Sequence, residues 1–258
     1  MTREDALKTL TERAAHAVYV VVNGSEAHGT ALKDSSDFDV LGVAVPPLDF
    51  YFGTRKYGND GTKEVREGDL DAVVYEMRKV CRLLAGQNPN TLMMLFTREE
   101  DVLLTSAAGE TLRANRDLFV TANVATTFMG YATSAIKKMG ATDGPTGDMG
   151  AKRKAYVEEF GYDCKDACHL VRLLRMGEEI LLTGQVNVWR GDLDADELKA
   201  IKQGQWSLER VKSEAEQGFA RVKAAEQATS LPKEVNHDAV NALCMKVVEL
   251  ALFGAKVE

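Results

Sequence analysis

The chain has 258 residues, 45% of them apolar and 28% charged, with a formal net charge of −7. Those values describe a globular chain able to bury one large core or two modest ones. They argue against broad, salt-driven binding to DNA or RNA, which needs a basic surface, and leave room for a local basic groove. No apolar run approaches the roughly 20 residues of a membrane span. The charged start, Met1-Thr2-Arg3-Glu4-Asp5, has no signal-peptide core. Four scattered cysteines (Cys81, Cys164, Cys168, Cys244) need no pairing, so a cytoplasmic location is expected.

From Glu4 to Val18, Ala6, Leu7, Leu10, Ala14 and Ala15 fall at helical spacing and predict an amphipathic helix packed on a sheet. His16 near its end reads as a capping or surface histidine. Residues 17–22 form an apolar first strand that runs into Asn23-Gly24-Ser25-Glu26-Ala27-His28-Gly29-Thr30. Gly24 lets the backbone approach a ligand. Ser25 brings a hydroxyl and the next N–H groups to an expected helix start, a place for phosphate oxygens. His28 either contacts a ligand or fills the loop.

The next apolar run opens within Ser35-Ser36-Asp37-Phe38-Asp39-Val40. Side chains alternate along a strand, so Asp37 and Asp39 project to one face and Phe38 and Val40 to the other. Two carboxylates held that close repel unless neutralised, and a divalent cation is the usual answer. Gly-Ser and Asp-x-Asp also occur in ordinary turns, where these side chains only satisfy their own backbone. The order here, strand, phosphate turn, strand with two acids, favours the site reading. Pro46-Pro47 ends the second strand near Val45.

Residues 51–61 read as a surface loop, followed by a short extended piece near Thr62–Arg66 and a turn at Glu67-Gly68-Asp69. The run from Leu70 to Tyr75 is strand-like, with Asp71, Val73 and Tyr75 on one face. An acid opening an apolar strand is costly to bury unless paired or coordinated, which makes Asp71 the candidate third carboxylate. Asp69, read as the turn residue, competes with it. Helices are expected over Glu76–Ala85, closed by Gly86, and over Thr91–Phe96 behind Asn88-Pro89-Asn90. A short strand at Val102–Thr105 and a helix at Ala107–Arg116 complete the first half.

After Asp117 the chain turns all-helical: 121–139, 151–160, 163–183, 198–202, 208–228 and 235–253, with a breaker cluster at 141–147. On the segment from Asp163, Lys165, His169 and Arg172 fall on one helical stripe, suited to the phosphates of a nucleotide or to a solvated basic face. Cys164 and Cys168 share a turn but lack two further ligands nearby for zinc. Lys152-Arg153-Lys154 marks a cleft rim or a soluble helix end.

The spacing Gly24-Ser25, Gly29-Thr30, Ser36-Asp37-x-Asp39 resembles the signature of the nucleotidyltransferase superfamily that includes DNA polymerase beta. Most of the chain is similar to an uncharacterised bacterial and phage branch of it, through Val43–Tyr51, Tyr75–Lys79, Gly86–Asn90, Gly161–Asp163 and His169–Leu174. The resemblance implies an α+β protein: a small mixed sheet flanked by helices, then an all-helical C-terminal half. It implies a catalytic domain over 1–116 and a helical domain over 117–258 closing the nucleotide cleft. Gly24, Ser25, Gly29 and Ser36 would hold a nucleoside triphosphate such as ATP, with Lys165, His169 and Arg172 as further contacts. Asp37, Asp39 and Asp71 would hold two Mg²⁺ ions, and Asp71 would also take the acceptor proton. The expected reaction is transfer of a nucleoside monophosphate with release of pyrophosphate. The acceptor stays open between a small molecule, a protein and a nucleic-acid end, with the acidic composition leaning to the first two. The rivals are a nucleotide-sensing module without catalysis and a toxin-type modifier of protein or RNA.

Overall fold

A computed structural model describes residues 2–32, 38–139 and 157–254. Ser36, Asp37, the 141–147 breaker cluster and Lys152-Arg153-Lys154 lie outside them. The chain divides into two compact units, 1–119 together with 234–258, and 120–233.

The first unit is built on a five-stranded sheet in the order β3-β4-β2-β1-β5. β1 (Ala17–Val22) is an interior strand, a β-branched and aromatic run buried along nearly its whole length. Beside it lie β2 (Phe38–Ala44) and β5 (Val102–Thr105), both antiparallel to it. β4 (Leu70–Glu76) runs parallel to β2, and β3 (Thr62–Glu67) closes the edge antiparallel to β4. One parallel pair among antiparallel ones makes the sheet mixed, as the α+β expectation required. β3, with five of its six positions charged or hydroxylic, is the kind of strand that tolerates a solvent edge.

Helix α1 (Arg3–Arg13) starts at a capping box between Thr2 and Asp5 and buries Ala6 and Leu10. It stops five residues short of the expected Val18, because Val18 and Tyr19 are drawn into β1. His16 turns out to be a turn residue with φ +74, and its carbonyl accepts from the Val45 N–H. One-turn helices α2 (Gly24–Ala27) and α3 (Leu48–Tyr51) follow β1 and β2. Glu76 ends β4 and caps α4 (Met77–Ala85), its carboxylate accepting from the Arg78 N–H. Gly86 closes α4 as expected, but with φ −79. The left-handed position falls on the buried Gln87, φ +56. α5 (Pro89–Leu95) is capped by the Asn88 side chain, with proline in its first turn, and α6 (Ala107–Ala114) by Ser106.

The second unit packs α7 (Val124–Met139), α9 (Ala195–Lys202) and α10 (Leu208–Ala228) around α8 (Cys164–Thr183). α8 is buried on most of its surface, so both cysteines at its start are core residues. Arg175 on α8 ties it to Asp194 and Glu197 at 3.0 and 2.8 Å and to Glu214 of α10. The last helix, α11 (His237–Phe253), was expected with the helical half. It packs instead on α4 and α6 of the first unit, through Val240, Leu243 and Val247. Helical periodicity defines an apolar face but not the surface that covers it.

Candidate functional site

Three elements meet at the end of the sheet where β2 and β4 begin. Their parallel register sets Asp39 directly opposite Asp71. Residues in register on neighbouring strands point to the same face, so the two carboxylates stand side by side. The burial pattern isolates them. Asp39 is the one half-buried residue in β2, and Asp71 shares the half-open face of β4 with Val73 and Tyr75. Asp69 sits one step before the strand, and its carbonyl accepts from the Phe38 N–H at 2.8 Å.

The turn after β1 closes on the same place. The Asn23 N–H donates to the Asp39 carbonyl at 2.8 Å. Gly24 follows with φ +63, and a Cβ on it would lie 1.9 Å from Asp39 Oδ2. The backbone at Gly24 therefore lies flat against the Asp39 carboxylate, an approach only glycine permits. Backbone bonds from Gly29 to the Glu26 carbonyl and from Thr30 to the Ser25 carbonyl, 2.9 and 2.8 Å, wind residues 24–30 into a tight knot. Gly29 takes φ +68 there, Ser25 stays half-buried, and His28 and Thr30 are buried. His28 is thus packed into the knot rather than set on its surface.

Like charges on adjacent strand positions destabilise a sheet unless countered. Arg66, across the hairpin from Asp71 in register, brings Nε to 3.5 Å from Asp71 Oδ1. Its side chain is largely exposed, so the pair contributes little by itself. Two carboxylates side by side over a glycine cradle are a donor set that fits a hard divalent cation such as Mg²⁺. Among the described residues no cluster of three such ligands occurs, and Asp37, expected to join Asp39 and Asp71, lies outside them. The Arg66 partner had a signal in the sequence. A hairpin turning at Gly68-Asp69 that pairs Glu67 with Leu70 must also pair Arg66 with Asp71.

Lys165, His169 and Arg172 belong to the other unit and are described apart from this site. They do not share one environment. Lys165 is exposed, His169 half-buried and Arg172 buried. Arg172 Nη2 donates to His169 Nδ1 at 3.0 Å. A guanidinium cannot accept, so Nδ1 is the bare nitrogen and the imidazole is neutral. Burial, then Arg172 and Lys138, push its pKa down to about 3. Between there and the free value of about 6.5 the unfolded chain holds a proton that the folded one lacks, so stability falls as pH drops through that window, by at most about 1.4 kcal/mol per pH unit. His169→Gln is expected to flatten this acid limb, read as a smaller fall in the urea midpoint between pH 7 and pH 5.

No helix among the described residues is long and apolar enough to cross a membrane. The chain was compared with known proteins. No curated protein matches it. The nucleotidyltransferase-like protein from Exiguobacterium sibiricum 255-15 is a similar solved structure, 12% identical, with a TM-score of 0.32 over 88% of this chain and 74% of the other. The profile of RlaP, described as the RNA repair pathway DNA polymerase beta family, matches residues 2–245. That match spans the strands, the Gly24 turn and both aligned aspartates, and on it the chain belongs to the RNA repair pathway DNA polymerase beta family, a group of polymerase beta-like nucleotidyltransferases.

Proposed function

We propose that this protein transfers a nucleoside monophosphate from a nucleoside triphosphate to the end of an RNA strand, releasing pyrophosphate. The observation that carries the reading is the alignment of Asp39 with Asp71 over the Gly24 cradle. The family description, which names an RNA repair pathway, favours an RNA end over the small-molecule or protein acceptor that acidic composition suggested.

In this proposal Asp39 and Asp71, with Asp37, hold two Mg²⁺ ions, while Gly24, Ser25, Gly29 and Ser36 receive the triphosphate. The bound ions supply Lewis-acid charge stabilisation at the phosphates and lower the pKa of the acceptor hydroxyl. Asp71 takes the acceptor proton. The acceptor oxygen bonds to the α-phosphorus, the bond from that phosphorus to the β-phosphate oxygen breaks, and pyrophosphate departs.

The test is incubation of the protein with each α-³²P-labelled nucleoside triphosphate and Mg²⁺, adding single-stranded RNA, cell extract or neither. Labelled RNA, dependent on Mg²⁺ and accompanied by pyrophosphate, is the expected product. Label in protein or in a small molecule moves the acceptor elsewhere. Nucleotide binding without any product would make the chain a sensor and defeat the proposal.

A further inference from the structure

At the opposite end of the sheet the chain builds a second surface, unlike the rest of an acidic protein. There β2 and β4 end and β3 begins. Its parts are α3, the loop from Phe52 to Gly61 and the first turns of α4. The Glu76 N–H donates to the Gly61 carbonyl at 2.8 Å, and Lys79 pairs with Asp60, which joins loop to helix. Arg82 follows Lys79 by one turn on the same face of α4.

Six cations gather here, Arg55, Lys56, Lys63, Arg78, Lys79 and Arg82, against three carboxylates, Asp49, Asp60 and Glu76. Arg55 pairs with Asp49 at 3.1 Å and Arg78 with Glu76 at 3.2 Å. Lys56, Lys63 and Arg82 have no carboxylate at ion-pair distance among the described residues, so the surface keeps an excess of positive charge. Aromatic rings position the cations. Arg78 lies 4.5 Å from the Tyr51 ring centre, Lys63 4.7 Å from Tyr57 and Arg55 6.0 Å from Phe50. Phe50 and Tyr57 stack edge to face at 6.4 Å, so the rings form one support. Phe52, next in the chain, is 86% exposed and is the large apolar side chain most open to solvent among those described.

We infer that this surface binds a single-stranded RNA, the cations receiving phosphates and Phe52 stacking on an unpaired base. The inference rests on the RNA-end reading above and deepens it by assigning where the body of the acceptor is held. Surplus positive charge selects a polyanion, and an open aromatic ring selects one that presents unstacked π faces. Glu76 lies five positions beyond Asp71 on β4, about 17 Å along an extended strand. The surface thus lies apart from the paired aspartates and leaves them for the reacting end.

The experiment is fluorescence anisotropy of the full chain with a fluorescein-labelled 20-nucleotide single-stranded RNA, over a series of KCl concentrations. Lys56→Glu with Arg82→Glu is expected to weaken binding at least about tenfold and to make the salt dependence shallower by about two ions. Phe52→Ala is expected to weaken it about tenfold with the salt slope unchanged. Lys223→Glu, an exposed cation of the helical unit, should bind as wild type does. Duplex RNA of the same sequence should bind more weakly. All four positions are exposed, and unchanged melting curves would show that the variants fold. No wild-type binding at low salt, or variants that bind like wild type, overturns the inference. So does a polyglutamate peptide that binds as tightly as RNA and loses affinity equally on Phe52→Ala, since the surface would then be a dock for acidic protein. Transfer to another acceptor without RNA binding refutes this surface and the RNA acceptor, and leaves nucleotidyl transfer standing. RNA binding that needs it, with no transfer to anything, refutes the catalytic proposal alone.

Discussion

Asp39→Asn is expected to lower nucleotidyl transfer by roughly a thousandfold or more, since the charge that holds a catalytic cation is worth several kcal/mol in the transition state. The amide keeps the size and shape of the carboxylate, so its packing against Gly24 survives. It also removes one of two like charges on adjacent strand positions, which offsets part of any lost interaction. Stability is therefore expected to change by no more than about 1 kcal/mol. Loss of transfer with an intact melting curve separates a chemical role from a structural one. Mn²⁺ binding, followed by electron paramagnetic resonance, adds a readout independent of turnover and should weaken at least about tenfold. Wild-type turnover by this variant would remove Asp39 from the site.

Gly24→Ala is expected to be nearly as damaging, for two separable reasons. A non-glycine residue at φ +63 pays roughly 1–2 kcal/mol of backbone strain. The added methyl would also fall 1.9 Å from Asp39 Oδ2 and 2.8 Å from its Cγ, so the carboxylate must swing away. A displacement of about 1 Å at a reacting centre costs on the order of a hundredfold in rate. The expected result is a melting temperature lowered by several degrees together with transfer reduced about a hundredfold or more. Placing Gly24→Ala in an Asp39→Ala background isolates the clash. With Oδ2 and Cγ absent, only the backbone strain and a contact with Cβ remain, so the added destabilisation should shrink. Equal cost in both backgrounds would assign the whole effect to the backbone.

The sequence carried the local features of this site. Glycine at position 24, the small-residue turn through Thr30 and the apolar runs on either side each follow from what single residues permit, and the α+β class from the family resemblance those residues carry. Periodicity also placed Asp71 on the half-open face of its strand, because alternation is a property of one strand alone. Tertiary structure decided which acid stands against Asp39. Asp69 and Asp71 are the same residue type two positions apart, and only the long-range register of β2 on β4 gives the opposite position to Asp71 and sets the Asp69 carbonyl on the Phe38 N–H. It also decided that α11 returns to the first unit and that Arg172 turns inward onto His169 rather than standing with Lys165 on an open stripe. The basic and aromatic surface around Phe52 has the same origin. Its cations come from a loop and a helix that the hairpin brings together, and a net charge summed along the chain cannot register that gathering.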